Sequence, residues 1–203
     1  LIAMSSTPIL LKNINSLVDK KYVYGQGEEY NLIKYWLFSD QCMFSYVERI
    51  HDEGRSYDRF IELLLKEPIY TSDYHDKDRN AFEKMAEYDL IAICEDGRII
   101  PKDKVKLVIL KDLFENDVLS QHHYPQFMRY AIKEFVEKGL LVEKSTLLSE
   151  PEINYLNYLL NRSEYDNGLE IRNKYIHGTE HVNKNDDEHK KNYLTLLRVF
   201  ILL

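Results

Sequence analysis

The chain has 203 residues, 44% of them apolar and 30% charged, with only seven glycines and five prolines; this excludes a disordered or low-complexity protein and favours helices over long irregular loops. Its formal net charge of −7 argues against tight nonspecific duplex binding, which rests on Lys and Arg neutralising phosphates, but leaves room for a local basic site. Cys42 and Cys94 are too few and too far apart for a disulfide framework or a zinc site, and they read as small buried residues of a reducing, cytoplasmic compartment.

Leu1–Met4 lacks the basic start and long apolar stretch of a signal peptide, and without an initiating Met it reads as a cut end. Thr7-Pro8 is a cap-plus-proline start, and Ile9, Leu10, Ile14, Leu17 and Val18 follow helical spacing. Gly25 and Gly27 break it. A long helix is predicted from Glu28 to about Asp52, stopped by Gly54, then a shorter one from Tyr57 to Lys66, closed by Pro68. The polar tract 71–80 suggests a subdomain boundary. A helix through Phe82, Met85 and Tyr88 follows, and Asp96-Gly97 between two apolar runs predicts a β-hairpin. Further helices are expected after Pro101, over 125–138 and from Glu150-Pro151, with Leu140–Leu148 extended between the last two. The final helices run from about Gly168 to His177 and from about Asp187 to the apolar end Phe200–Leu203, which also reads as cut. No apolar run is long enough to span a bilayer, and no internal repeat is apparent.

The informative segment is Asn167-Gly168-Leu169-Glu170-Ile171-Arg172-Asn173-Lys174-Tyr175-Ile176-His177-Gly178. On a helix turning about 100° per residue, Arg172, Ile176, Leu169, Asn173 and His177 fall across one arc of roughly 140°. Ile171 and Tyr175 form a second apolar strip. A short helix apolar on two sides must be enclosed, by its own bundle or by a partner chain. Polar residues at such a surface are costly unless they are paired or in use.

Arg172-Asn173-Lys174-Tyr175-Ile176-His177, followed by Gly178, resembles the motif of the HEPN superfamily, and the run from Leu148 through Leu160 to Leu169 is similar to bacterial HEPN proteins. The resemblance covers residues 148–203 and, loosely, the helices from 101 onward. It implies a four-helix-bundle domain that pairs about a two-fold axis and cuts RNA at a composite cleft without metal or cofactor, by attack of the 2′-hydroxyl on its own phosphate. Arg172 would grip the phosphate and stabilise its developing charge. His177, at a helix C-terminus, would transfer a proton, and Asn173 would orient His177 or a phosphate oxygen. Lys174 and His181 would lie along the RNA.

Other clusters carry less. Asp73, His75, Asp76 and Asp78 match no metal-site spacing and read as a solvated loop. Asp186–Glu188 suit either a helix start or the rim of an RNA cleft. His122-His123 read as a helix-entry loop. The hairpin, two helices and Leu140–Leu148 could form a winged-helix module, but helix 125–138 offsets Arg129, Lys133 and Lys138 with Glu134 and Glu137, a poor mix for phosphate contact. The expectation is an all-α helical bundle with a minor β-hairpin. Residues 1–75 would form a helical N-terminal part, 76–147 a linking module, and 148–203 the HEPN-like core of a longer parent protein. Its function would be RNA cleavage by a homodimer away from membranes, as a toxin or anti-phage effector. The alternative is a non-catalytic RNA- or nucleotide-binding or dimerisation module.

Overall fold

The computed structural model describes residues 10–160, 168, 169, 171 and 186–202. The chain divides into two compact units: Leu17–Ser145, and Leu1–Ser16 together with Thr146–Leu203. The larger unit runs β1 (Tyr22–Gly25), α1 (Gly27–Phe38), α2 (Glu48–Asp52), α3 (Phe60–Lys66), β2 (Ile69–Tyr70), α4 (Arg79–Glu87), β3 (Ile91–Ile93), β4 (Arg98–Pro101), α5 (Lys104–Asn116), β5 (Leu119–Ser120), α6 (Gln126–Glu137) and β6 (Leu141–Lys144). The strands form two antiparallel sheets, ordered β2-β4-β3 and β5-β1-β6. The all-α expectation is therefore wrong. The Asp96-Gly97 hairpin forms as β3 and β4, with Gly97 at φ 81° supplying the left-handed turn. The other strands are only two to four residues long, too short for an alternating pattern to stand out.

Two helix expectations also fail. The helix begun by α1 stops at Phe38, where Ser39 turns extended and its N–H closes the last turn on Tyr35 O at 3.1 Å. A short turn and α2 take up the remainder. In place of a helix from Thr7, the described residues show one tight turn at Leu11–Asn13 and an extended Asn15 paired with Thr146.

The larger unit is an internal duplication. The segment Ile69–Cys94 matches Leu119–Lys144 without a gap, fifty positions on: β2 answers to β5, the end of α4 to the end of α6, and β3 to β6. Buried positions coincide, Phe82 with Ile132, Met85 with Phe135, Leu90 with Leu140, Ile91 with Leu141. The helix exits coincide too: Leu90 N donates to Met85 O at 2.9–3.0 Å, as Leu140 N does to Phe135 O, and Asp89 and Gly139 both take positive φ. Only Tyr74/Tyr124, Arg79/Arg129, Ala81/Ala131, Glu87/Glu137 and Leu90/Leu140 are identical, which hides the repeat in the sequence.

Strand exchange closes the pair. Ile99 of β4 lies between Ile69 and Ile93, while Val23 of β1 lies between Leu119 and Glu143, the positions fifty residues further on. β1 is thus to the second sheet what β4 is to the first, and α1 is to β1 what α5 is to β4. On that register Phe38 corresponds to Phe114, and these two rings stack at 5.2 Å between centroids. The order α3-β2-turn-α4-β3-β4 is that of a winged helix, but β6 pairs with β1 rather than with the hairpin. Position 75 lies inside this unit, between β2 and α4.

Relative to its twin, the first half carries extra chain between α1 and α3. That segment plugs the core: Phe44 lies 5.0 Å from Phe82 and 5.8 Å from Phe60, and Tyr74 lies 4.8 Å from Phe82. Such offset and edge contacts add to the burial of the rings.

In the smaller unit, α7 (Glu150–Leu160) starts at a capping box. Ser149 Oγ donates to Glu152 at 2.8 Å, and the same carboxylate accepts Ser149 N at 2.7 Å. Leu156 and Leu159 of α7 pack on Val199 of α8 (Asp186–Leu202), with Leu11 and Leu148 at the edge.

Candidate functional site

Arg172, Asn173, Lys174, His177 and His181 lie outside the described residues. Their described neighbours form a helical frame. Leu169 N–H donates to Tyr158 O on α7 at 2.9 Å, tying the start of the motif segment to that helix. Leu169 itself is 41% exposed, whereas Ile171, directly before Arg172, is helical and completely buried. The chain thus passes from an exposed, non-helical position to a buried, helical one within two residues. Asp186, Asp187 and Glu188 supply the acidic first turn of α8, where the helix dipole favours negative charge. One turn further, the amide nitrogen of Asn192 is buried without a hydrogen-bond partner among the described residues. A donor left unmet in an interior costs about 1–3 kcal/mol, so this unit holds polar capacity that the sequence reading did not single out.

The carboxylates of the 73–78 loop close turns. Asp73 accepts Tyr70 N at 2.8 Å and pairs with Arg49 at 3.2 Å, and Asp78 accepts His75 N at 3.2 Å. Among the described residues no group of three His, Cys, Asp or Glu side chains could hold a metal ion. On α6, Lys133 pairs with Glu137 at 3.4 Å and Glu134 reaches Lys106 at 2.6 Å. Its outer face therefore carries little net positive charge.

The densest polar cluster was not legible in the sequence. Asp89 accepts from Lys102 at 2.6 Å, Lys106 at 2.9 Å and Lys138 at 3.3 Å, and Lys106, its side chain only 4% exposed, also meets Glu134. Lys102, then Lys106, holds the Asp89 carboxyl well below the ordinary carboxylate range. Burial opposes the charge on Lys106, but Glu134 and Asp89 outweigh it and keep its pKa above the usual value. Three lysines engage this one acid, so the cluster braces α4, α5 and α6. The only signal was positional: Asp89-Leu90 stands where the second half has Gly139-Leu140.

Among the described residues no helix is long and apolar enough to cross a membrane. No family model, no curated protein and no solved structure matches the chain.

Proposed function

We propose that the smaller unit is a HEPN-type module that cuts RNA without a metal ion, at a cleft shared by two copies of the chain. Arg172 holds the scissile phosphate, His177 moves the proton to or from the 2′-hydroxyl or the leaving oxygen, and Asn173 orients them. Lys174 and His181 flank the strand. The same resemblance makes a toxin or anti-phage effector the proposed biological role.

Beside the motif itself, the observation that supports this reading is the complete burial of the helical Ile171 directly before Arg172, as an enclosed helical domain requires. A second reading, a non-catalytic RNA- or nucleotide-binding or dimerisation module, is favoured by the exposed apolar residues of α8, which suit pairing and are silent about catalysis.

Labelled RNA incubated with the protein in EDTA decides between them. Cleavage should proceed, leave a cyclic phosphate and a 5′-hydroxyl, and fail on a substrate with a 2′-deoxy sugar at the cut. Arg172→Ala and His177→Ala should each lower the rate about a hundredfold or more with melting unchanged. Undiminished cutting by either variant, or a requirement for metal, would overturn the ribonuclease reading.

A further inference from the structure

The larger unit contains a cleft of about 490 Å³ at the point where its two halves differ, between α1, the residue that opens α3 and the end of α5. Two cations line it. Lys34 Nζ and the Arg59 guanidinium each lie 5.5 Å from the centre of the Phe114 ring. A ring attracts cations but does not neutralise them. Lys34 has one ion pair, a 3.7 Å contact with the exposed Asp117, of a kind that contributes little. Arg59 has no carboxylate partner among the described residues. Both side chains belong to half-buried residues of a chain with net charge −7, where acids to pair with are plentiful. Half-exposed and without a close acid, the two cations are available to an anionic ligand.

The duplication supplies an independent argument. On the register that matches β1 to β4, the apolar positions of α1 and α5 agree: Ile33 with Ile109, Leu37 with Leu113, Phe38 with Phe114. The cleft-lining positions do not. Asn31 and Lys34 stand where α5 has the buried Leu107 and Leu110. Arg59 stands where the fifty-residue register has the buried Ile109. The lip is held in place by Tyr35 Oη donating to Gln41 O at 3.1 Å and Gln41 N donating to Ser39 Oγ at 3.1 Å. Asp40, the acid of the lining, sits exposed at the mouth.

We propose that this cleft binds a small organic phosphomonoester of nucleoside monophosphate size. Its dianionic phosphate lies between Arg59 and Lys34, and its organic part lies along Phe114 toward Asn31. Arg offers a two-pronged donor that matches phosphate oxygens, Lys a point charge, and Asn31 an amide for a polar edge. The cleft is far larger than a lone phosphate requires and falls in the range that encloses a whole small ligand.

Calorimetric titration of the full chain, with Arg172→Ala introduced so that the proposed RNA site is silent, tests this with adenosine and uridine 5′-monophosphates, the two nucleosides, and inorganic phosphate. At least one monophosphate should bind, about tenfold or more tighter than its nucleoside and than inorganic phosphate. Arg59→Gln and Lys34→Gln should each weaken it about tenfold, with Arg59→Lys and Lys34→Arg losing less and all four variants melting like the parent. Lys111→Gln, on the outside of α5, should change nothing. The proposal is overturned if no monophosphate binds at millimolar concentration. It is equally overturned if nucleoside or inorganic phosphate binds as tightly as the ester, or if the two Gln variants bind it undiminished.

Discussion

Asp89 does two things that no single replacement can do together. It takes a left-handed backbone, φ 61°, and it anchors three lysines, one of them buried. Asp89→Ala should lose both and destabilise the larger unit by about 3 kcal/mol, combining roughly 1 for the backbone with about 2 for a buried lysine short of one partner. Asp89→Gly, which copies Gly139 at the corresponding exit (φ 78°), should recover the backbone part and cost about 2 kcal/mol. Denaturant unfolding checks the order; an Ala variant as stable as wild type would remove the brace. The acid limb follows from the lowered pKa of Asp89. A depressed carboxylate contributes stability that is complete above its unfolded value of about 4 and is lost as pH falls through the folded one. Asp89→Asn should therefore lose less stability than wild type between pH 5 and pH 2.

At the scale of elements, α8 is the helix with the least cover. Tyr193, Leu194, Leu197, Phe200 and Ile201 are all exposed, and at 100° per residue they span an arc of about 120°, away from the buried Val199. If two copies meet on this face, Leu194→Glu and Phe200→Glu should yield monomers in sedimentation at tens of micromolar. Stability of the monomer should change by less than about 1 kcal/mol, because neither side chain is in the core. A wild-type protein already monomeric there would sink the shared cleft. The elements also show what the sequence conceals. α4 to α7 carry helical spacing, and Asp103 caps α5 through bonds to Val105 N and Lys106 N, so they were legible. The end of α1 was not: Ser39-Asp40-Gln41 contains no glycine or proline, and the apolar spacing resumes at Phe44, Val47 and Ile50.

For the whole molecule, the duplication suggests an experiment on autonomy. Leu17–Ser145 has its own continuous core and its chain ends lie together, with Lys20 N donating to Ser145 Oγ at 2.8 Å. A fragment 17–145 should fold alone, with a cooperative melt and a near-ultraviolet circular dichroism signal. A fragment with helical content but no cooperative transition would show that the unit depends on the rest of the chain.

What the sequence determined by itself is local: helix-forming apolar spacing, the Asp96-Gly97 hairpin and the start of α7 at Glu150-Pro151. Each depends on residues within one or two turns of one another, so neighbouring side chains suffice to specify it. The pairing of β1 with strands about a hundred residues later, the mating of Phe38 with Phe114, the three lysines on Asp89 and the cleft of Lys34 and Arg59 were decided only by tertiary structure. Those contacts join positions far apart along the chain, and nothing in the residues next to either partner specifies the other. Burial is what the core selects, and a chain of letters does not display it.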